Sequence, residues 1–156
     1  MAPPRPRRLI TILVLLACLP SVALARDDNE AERALITANG LLRKGLFDLA
    51  VPEYQRYLDS DPSGDSVAIA RYGLAVSLFR TGQPGPAGAQ LDQIGDASFE
   101  FAPDALLLRA HCALAQNDFE RVEQACADLA RRFPDHASAP AAAALRCEAL
   151  YRLDRS

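Results

Sequence analysis

Residues 45–62 read GLFDLAVPEYQRYLDSDP, and this stretch decides the fold because its pattern returns elsewhere in the chain. A glycine is followed two residues later by a phenylalanine, apolar residues then recur at helical spacing, and a proline closes the unit. The same order appears in NDFERVEQACADLARRFP, residues 117–134, with asparagine in place of glycine, and in a weaker form in GQPGPAGAQLDQI, residues 82–94. A recurring unit of roughly 34 residues predicts a stacked array of helix pairs.

Apolar residues follow helical spacing through the rest of the chain, and no stretch alternates with the period of two that a half-buried strand requires. We therefore predict an all-α fold with helices over residues 31–44, 47–60, 66–80, 87–94, 104–116, 119–132 and 139–153. Each helix pair has too little apolar surface to be stable alone, so the pairs must stack into one core. Small residues should let the paired helices approach closely, at Ala38, Ala50, Ala75, Ala87 and Ala110.

The repeating unit resembles the tetratricopeptide repeat (TPR), a helix-turn-helix unit of 34 residues. The signature positions of that family fall in the first unit on Ala34, Thr37, Ala38, Leu41, Ala50, Tyr54, Tyr57 and Pro62. In the second unit they fall on Arg71, Leu74, Ala75, Leu78, Ala87, Leu91, Ile94 and Phe99, and in the third on Leu106, Arg109, Ala110, Ala113, Val122, Cys126, Leu129 and Pro134. The last helix matches a first helix only, through Ala143, Arg146, Cys147 and Leu150. Arg71 and Arg109 stand where the family usually has apolar residues.

The resemblance implies a right-handed α-solenoid of about three TPR-like helix hairpins plus a C-terminal helix over residues 31–156. In this family the first helix of each unit lines a concave groove. The matching positions give the candidate ligand-binding residues Asn39, Leu42, Arg43, Tyr72, Val76, Phe79, Arg80, His111, Tyr151 and Arg152. Aromatic and apolar groups beside arginines suit a peptide with hydrophobic anchors and a carboxylate. The alternative is that Val76, together with Leu35, Ile69 and Leu107 of the first helices, packs between neighbouring helices.

Residues 1–25 have the features of a cleaved export signal. Three arginines lie among the first eight residues, an apolar run covers residues 9–19, and Ala-Leu-Ala at 23–25 predicts cleavage between Ala25 and Arg26. The apolar run is shorter than the roughly 20 residues that a membrane-spanning helix needs. Residues 26–30 are polar and are expected to form a short lead-in before the helical domain.

The segment Leu15-Leu16-Ala17-Cys18 also resembles a bacterial lipobox, so lipidation of Cys18 is the alternative to simple cleavage. The formal net charge is −3, from 17 basic and 20 acidic residues. Three of the arginines lie in the predicted signal, so the exported part has a net charge of about −6. This acidic balance disfavours nucleic acid or an anionic membrane surface as the ligand. The protein or peptide partner is what the repeat resemblance implies.

Chemistry-bearing residues are few and scattered. Cys112, Cys126 and Cys147 are an odd number of thiols for an exported chain, and they are either small buried hydrophobes or include a Cys126–Cys147 bridge. Neither these cysteines nor His111 and His136 have metal-ligand spacing, and adjacent helical residues such as His111 and Cys112 point in different directions. We therefore expect no enzymatic activity, no metal and no cofactor.

The sequence thus predicts a non-catalytic protein–protein interaction scaffold, exported and periplasmic or associated with the cell envelope. The abundance of alanine and the preference for arginine over lysine are typical of a GC-rich bacterial genome. The alternatives are a lipid-anchored outer-membrane assembly factor, the N-terminal fragment of a longer TPR protein, and a small enzyme. The last helix is apolar nearly all round, so self-association through it is also expected.

Overall fold

A computed structural model describes residues 20–95 and 97–154, and every regular element in these ranges is an α-helix. The helices are α1 (Pro20–Arg43), α2 (Phe47–Asp59), α3 (Asp65–Arg80), α4 (Pro84–Ile94), α5 (Ala102–Ala115), α6 (Phe119–Arg132) and α7 (Ala139–Leu153). All the predicted helices are present, which confirms the all-α fold of the described part of the chain.

Four helices begin earlier than predicted, α3 by a single residue and α1, α4 and α5 by two or more. Helix α1 starts at Pro20 and not at Ala31, so residues 26–30 continue a helix and do not form a lead-in before it. Proline fits the first turn of a helix, and the chain from there to residue 31 contains no glycine or further proline to interrupt it. Helices α4 and α5 also have a proline within their first two positions.

The predicted cleavage point between Ala25 and Arg26 lies within the described part of α1 and stays a prediction. Residues 1–19 lie outside the described residues. The arginine-rich head, the apolar run and Cys18 belong to this range, so the predictions made for them stay predictions.

The turn inside each helix pair has the same geometry in all three pairs. After α1, the amide of Leu46 donates to the carbonyl of Leu41 and the amide of Gly45 donates to that of Leu42, both at 3.0 Å. The same two bonds recur around Gly82 and Asn117, at 2.9 to 3.1 Å. Gly45, Gly82 and Asn117 have φ of 72°, 81° and 59°, a left-handed conformation that glycine and asparagine adopt most readily. The residues aligned by the sequence repeat thus make one repeated turn.

The helices form two layers. Each helix packs against the next one along the chain, and α1, α3, α5 and α7 also contact each other in that order. In the described part of the chain, α2, α4 and α6 make no such contacts with each other. We call α1, α3, α5 and α7 the first-helix layer and α2, α4 and α6 the second-helix layer. The second helices are therefore splayed apart while the first helices lie closer together.

Small residues occupy the tightest positions between helices. Ala38, Ala50, Ala75, Ala87 and Ala110 are all fully buried, as the repeat predicts. A further close approach involves Gly73 of α3 and Tyr54 of α2. A Cβ atom at Gly73 would lie 2.3 Å from Cζ and Oη of Tyr54, so no larger residue fits there without displacing the ring.

The core consists of two hydrophobic clusters that share α5. One cluster joins buried residues of α1 to α5, and it includes Ala105 and Cys112 of α5. The other joins α5, α6 and α7, and it includes Leu106 and Ala110 of α5. Helix α5 therefore presents one face to each cluster.

Helix α7 buries one face and leaves the other uncovered. Ala142 and Ala149 are buried against α6, as their counterparts Ala105 and Cys112 in α5 are buried in the preceding cluster. The signature positions predicted for α7 are different, because Ala143, Cys147 and Leu150 are exposed. Their counterparts in α5 pack with residues of α6. We call Ala143, Cys147 and Leu150 the α7 outer face, and no helix of the described ranges covers it.

The cysteine predictions need correction on two points. All three thiols are free, so Cys126 and Cys147 form no bridge. Cys126 points into the cluster with α5 and α7, whereas Cys147 lies on the α7 outer face and is exposed, not buried as expected. Cys112 and Cys126 are buried hydrophobes, and burial raises the pKa of each thiol to about 11.

Candidate binding surfaces

Tyr72, the first predicted groove residue on α3, connects that helix to the segment before α5. Its ring stacks on Phe101 with a centroid distance of 5.4 Å and an interplanar angle of 11°. The edge of Phe99 meets the same ring at 6.2 Å. Burial and the nearby carboxylate of Asp104 raise the pKa of Tyr72. Tyr72 is half-buried and packs against the first cluster.

The other predicted residues of α3 continue along the same helix. Val76 and Phe79 are half-buried, and the Phe79 ring lies 6.4 Å from the ring of His111 on α5. The guanidinium of Arg80 lies 4.7 Å from the centroid of the Phe47 ring, at the start of α2. The structure therefore brings Phe79 together with His111. We call Tyr72, Val76, Phe79, Arg80 and His111 the first-helix row.

The predicted residues of α1 divide between core and surface. Asn39 accepts a hydrogen bond of 2.7 Å from the hydroxyl of the fully buried Tyr54, and Leu42 packs against the first cluster. Burial raises the pKa of Tyr54 to about 12, and the charge of Arg43 opposes part of this rise. Arg43 is exposed in the last turn of α1, where a positive charge favours the helix dipole. Asn39 and Leu42 therefore have structural roles.

The two predicted residues of α7 lie apart from the row on α3. The guanidinium of Arg152 lies 5.8 Å from the Phe119 ring at the start of α6 and 3.6 Å from Glu148. Tyr151 is exposed beside it. Helix α7 contacts α5 and α6 but not α3 within the described residues. The predicted groove residues of α3, α5 and α7 therefore fall into two separate groups, the first-helix row and the pair Tyr151 and Arg152 on α7.

Sequence reasoning missed a polar cleft on the opposite side of α5. A cavity of about 540 Å³ lies between α4 and α6, with α5 as its floor. Its lining residues are Gly88, Asp92, Gly95, Arg109, Cys112, Ala113, Gln116, Arg121, Gln124, Ala125, Asp128 and Arg131. We call this cavity the second-helix cleft. It exists because α4 and α6 both pack on α5 without contacting each other.

Arg109 is the most buried cation of the cleft. Its Nη2 donates a hydrogen bond of 2.8 Å to the carbonyl of Leu91 on α4. Its buried Nε makes no hydrogen bond, although Oδ1 of Asp92 lies 3.2 Å away. The same carboxylate lies 3.7 Å from Arg121 of α6, so Asp92 bridges two arginines across the cleft. In the sequence, Arg109 was the residue that could have indicated this cleft, because tetratricopeptide units usually have an apolar residue at the position that it matches.

Arg71 and Arg146 hold neighbouring helices together in a similar way. Arg71 donates from Nη1 to Gln90 at 2.9 Å and also to Gln93, both on α4. Arg146 of α7 donates from Nε to Glu123 of α6 at 2.8 Å. Charged residues in repeat positions that are usually apolar are therefore satisfied by polar side chains of the second helices.

The described residues contain neither a metal site nor a membrane span. No group of three histidine, cysteine or acidic side chains within residues 20–95 and 97–154 is placed to hold a metal ion. Among the helices of these ranges, none is both long enough and apolar enough to cross a membrane. No family model matches the chain, and no curated protein shows significant similarity to it.

Proposed function

We propose that this protein is a TPR-like α-solenoid that acts as a non-catalytic scaffold and binds a protein or peptide along its first-helix layer. The observation that carries the proposal is the first-helix row. It combines half-buried aromatic and apolar side chains with the exposed Arg80 on one side of α3 and α5. Such a mixture suits hydrophobic anchors and a carboxylate of an extended partner.

The packing of the layers supports a curved array. First helices contact each other and second helices do not, so the array bends towards the first-helix layer. That layer is then the concave side, where one extended ligand contacts several units. The identical turns at Gly45, Gly82 and Asn117 support the assignment of three equivalent TPR-like units.

The N-terminal sequence supports a location outside the cytoplasm. Its basic head, short apolar run and Ala-Leu-Ala motif favour export and cleavage before Arg26, which leaves a periplasmic or envelope-associated scaffold. Lipidation at Cys18 would instead anchor the same scaffold to a membrane. N-terminal sequencing and mass determination of the exported protein distinguish the two.

Binding along the first-helix row predicts a position-dependent crosslink. A photo-reactive amino acid at Val76 should crosslink a partner in the cell envelope, whereas the same group at the exposed Gln55 of α2 should not. Arg80→Glu should weaken binding of that partner about tenfold or more, since a cation facing a ligand carboxylate becomes an anion. The affinity of the partner, once identified by mass spectrometry, is measured by titration.

Arg56→Glu on α2 is the matched control, because it makes the same change of charge on an exposed arginine of the second-helix layer. Its affinity should stay within about twofold of the parent. Equal weakening by Arg56→Glu, or a crosslink from Gln55 and not from Val76, would contradict a first-helix site.

The α7 outer face favours a second candidate function, association of two copies through α7. Its residues are apolar and small or medium in size, and Leu150 is 48% exposed. The corresponding face of α5 is covered by α6, so this surface has the shape and polarity of a helix-packing face. A two-fold pairing of identical α7 helices would cover both copies at once.

Light scattering across a concentration series tests this association. The mass should rise from monomer towards dimer with concentration, and Leu150→Glu should return it to monomer because two buried carboxylates would then face each other. Ala141→Glu, also exposed on α7 but away from the outer face, should leave the dimer intact. A monomer at every concentration would contradict the self-association.

A further inference from the structure

The second-helix cleft has walls of unequal character. On the α4 side Gly88 and Gly95 provide no side chains, and a Cβ atom at Gly88 would meet Cys112 at an ordinary 3.7 Å. On the α6 side a row of polar residues lies at helical spacing, formed by Arg121, Gln124, Asp128 and Arg131. Asp92 also lies on the α4 side, where it is held between Arg109 and Arg121. The cleft is therefore open beside the two glycines and carries hydrogen-bonding groups along the α6 wall.

The arginines of this wall keep unused hydrogen-bond donors. Arg121 is paired with Asp118 at 3.3 Å and with Asp92 at 3.7 Å, and Arg131 is paired with Asp128 at 2.5 Å. Each guanidinium carries five N–H donors, and these contacts occupy only a fraction of them. The side chains of Arg121 and Arg131 are 64% and 72% exposed, more than those of the aspartates that orient them. Their free edges point to solvent and can form paired hydrogen bonds with a further carboxylate.

The spacing of these two arginines sets the length of a matching ligand. Arg121 and Arg131 are separated by about 15 Å along α6 at the helical rise per residue. An extended polypeptide covers that distance with about five residues. The cavity volume of about 540 Å³ accommodates a segment of this kind but not a folded partner.

We propose that the second-helix cleft binds an extended acidic segment of another polypeptide, with carboxylates at Arg121 and Arg131 and the backbone beside Gly88. The amides of Gln116 and Gln124 line the same cleft and can donate to and accept from a peptide backbone. Arg109 lies at the floor, where it is paired with Asp92 and the carbonyl of Leu91. This site is separate from the first-helix row and does not depend on it.

A fluorescein-labelled hexaglutamate peptide is the probe, and its anisotropy is titrated with the purified protein at low and high salt. The parent should bind it, more weakly at high salt. Arg121→Gln with Arg131→Gln should weaken binding at least about tenfold, and circular dichroism should show unchanged helix content because both side chains are exposed. Gly88→Leu should weaken binding as well, since its side chain would fill the cleft above Cys112.

A control variant locates the binding. Arg56→Gln on α2 removes an exposed arginine outside the cleft and should bind the probe as the parent does. A parent protein that does not bind hexaglutamate would overturn the proposal. So would an unchanged affinity in the Arg121 and Arg131 double variant, or equal weakening by Arg56→Gln. Weakening by Arg80→Gln with no effect of the double variant would also overturn it, and would assign the acidic ligand to the first-helix row.

Discussion

Gly73→Ala is expected to lower the free energy of unfolding by about 3 kcal/mol, at the upper end of the range for overpacked cores. The added Cβ atom would lie 2.3 Å from two atoms of the Tyr54 ring and 2.8 Å from a third. That ring cannot withdraw easily, because it is fully buried and its hydroxyl donates to Asn39. Alanine forms helix better than glycine by about 1 kcal/mol, so the steric cost must exceed this gain. Urea denaturation measures the difference.

Gly88→Ala is the matched control, since it makes the same change in the neighbouring helix α4. There the new Cβ atom meets Cys112 at 3.7 Å, an ordinary contact, and the variant should be as stable as the parent or up to about 1 kcal/mol more stable. If Gly73→Ala also proves neutral, the contact between α2 and α3 is looser than described.

Ala50→Leu and Ala75→Leu should each lower the free energy of unfolding by about 1–3 kcal/mol. Both alanines are fully buried in the cluster that joins α1 to α5. Leucine at either position must push neighbouring helices apart or adopt a strained rotamer. The denaturation midpoint should fall while the helix content, measured by far-ultraviolet circular dichroism, stays the same.

Ala89→Leu provides the comparison for these two variants, because Ala89 is exposed on α4 and its replacement enters solvent. Its stability should change by less than about 0.5 kcal/mol. Parent-like denaturation of both buried variants would show that the repeat register is misplaced.

The turns and the small buried residues could be predicted from the sequence because each depends on local chemistry. Gly45, Gly82 and Asn117 suit the left-handed turn that ends a first helix, and this requirement is visible without knowledge of the fold. The alanines at helix contacts were visible for a similar reason, since they recur at two positions of the repeating unit. The order and type of the helices followed from these features.

Gly73 could not be recognised in this way. Within a helix, glycine normally indicates only weaker helix formation. Its role depends on the aromatic ring of Tyr54 in a different helix, and only the tertiary packing places the two residues together. The start of α1 was likewise missed, because the polar residues 26–30 do not themselves interrupt a helix.

The candidate site was predicted only in part. Tyr72 and Phe79 are half-buried and pack against the first cluster, so a ligand-binding role for them stays a prediction. Asn39 accepts a hydrogen bond from Tyr54. The second-helix cleft depends on the separation of α4 from α6, and no pattern within either helix encodes that separation. Arg109 could have directed attention to it, because a charged residue in a mostly apolar stripe needs polar partners.

The position of α5 between two clusters has a consequence for cooperativity. Opening of α6 and α7 disrupts only the cluster with Leu106 and Ala110, whereas the cluster with Ala105 and Cys112 keeps its contacts with α1 to α4. Loss of α5 itself removes buried residues from both. The ends of the array can therefore open by partial unfolding at lower free energy than its centre. A ligand that holds α5 in place, from either layer, would couple the two halves into one folding unit.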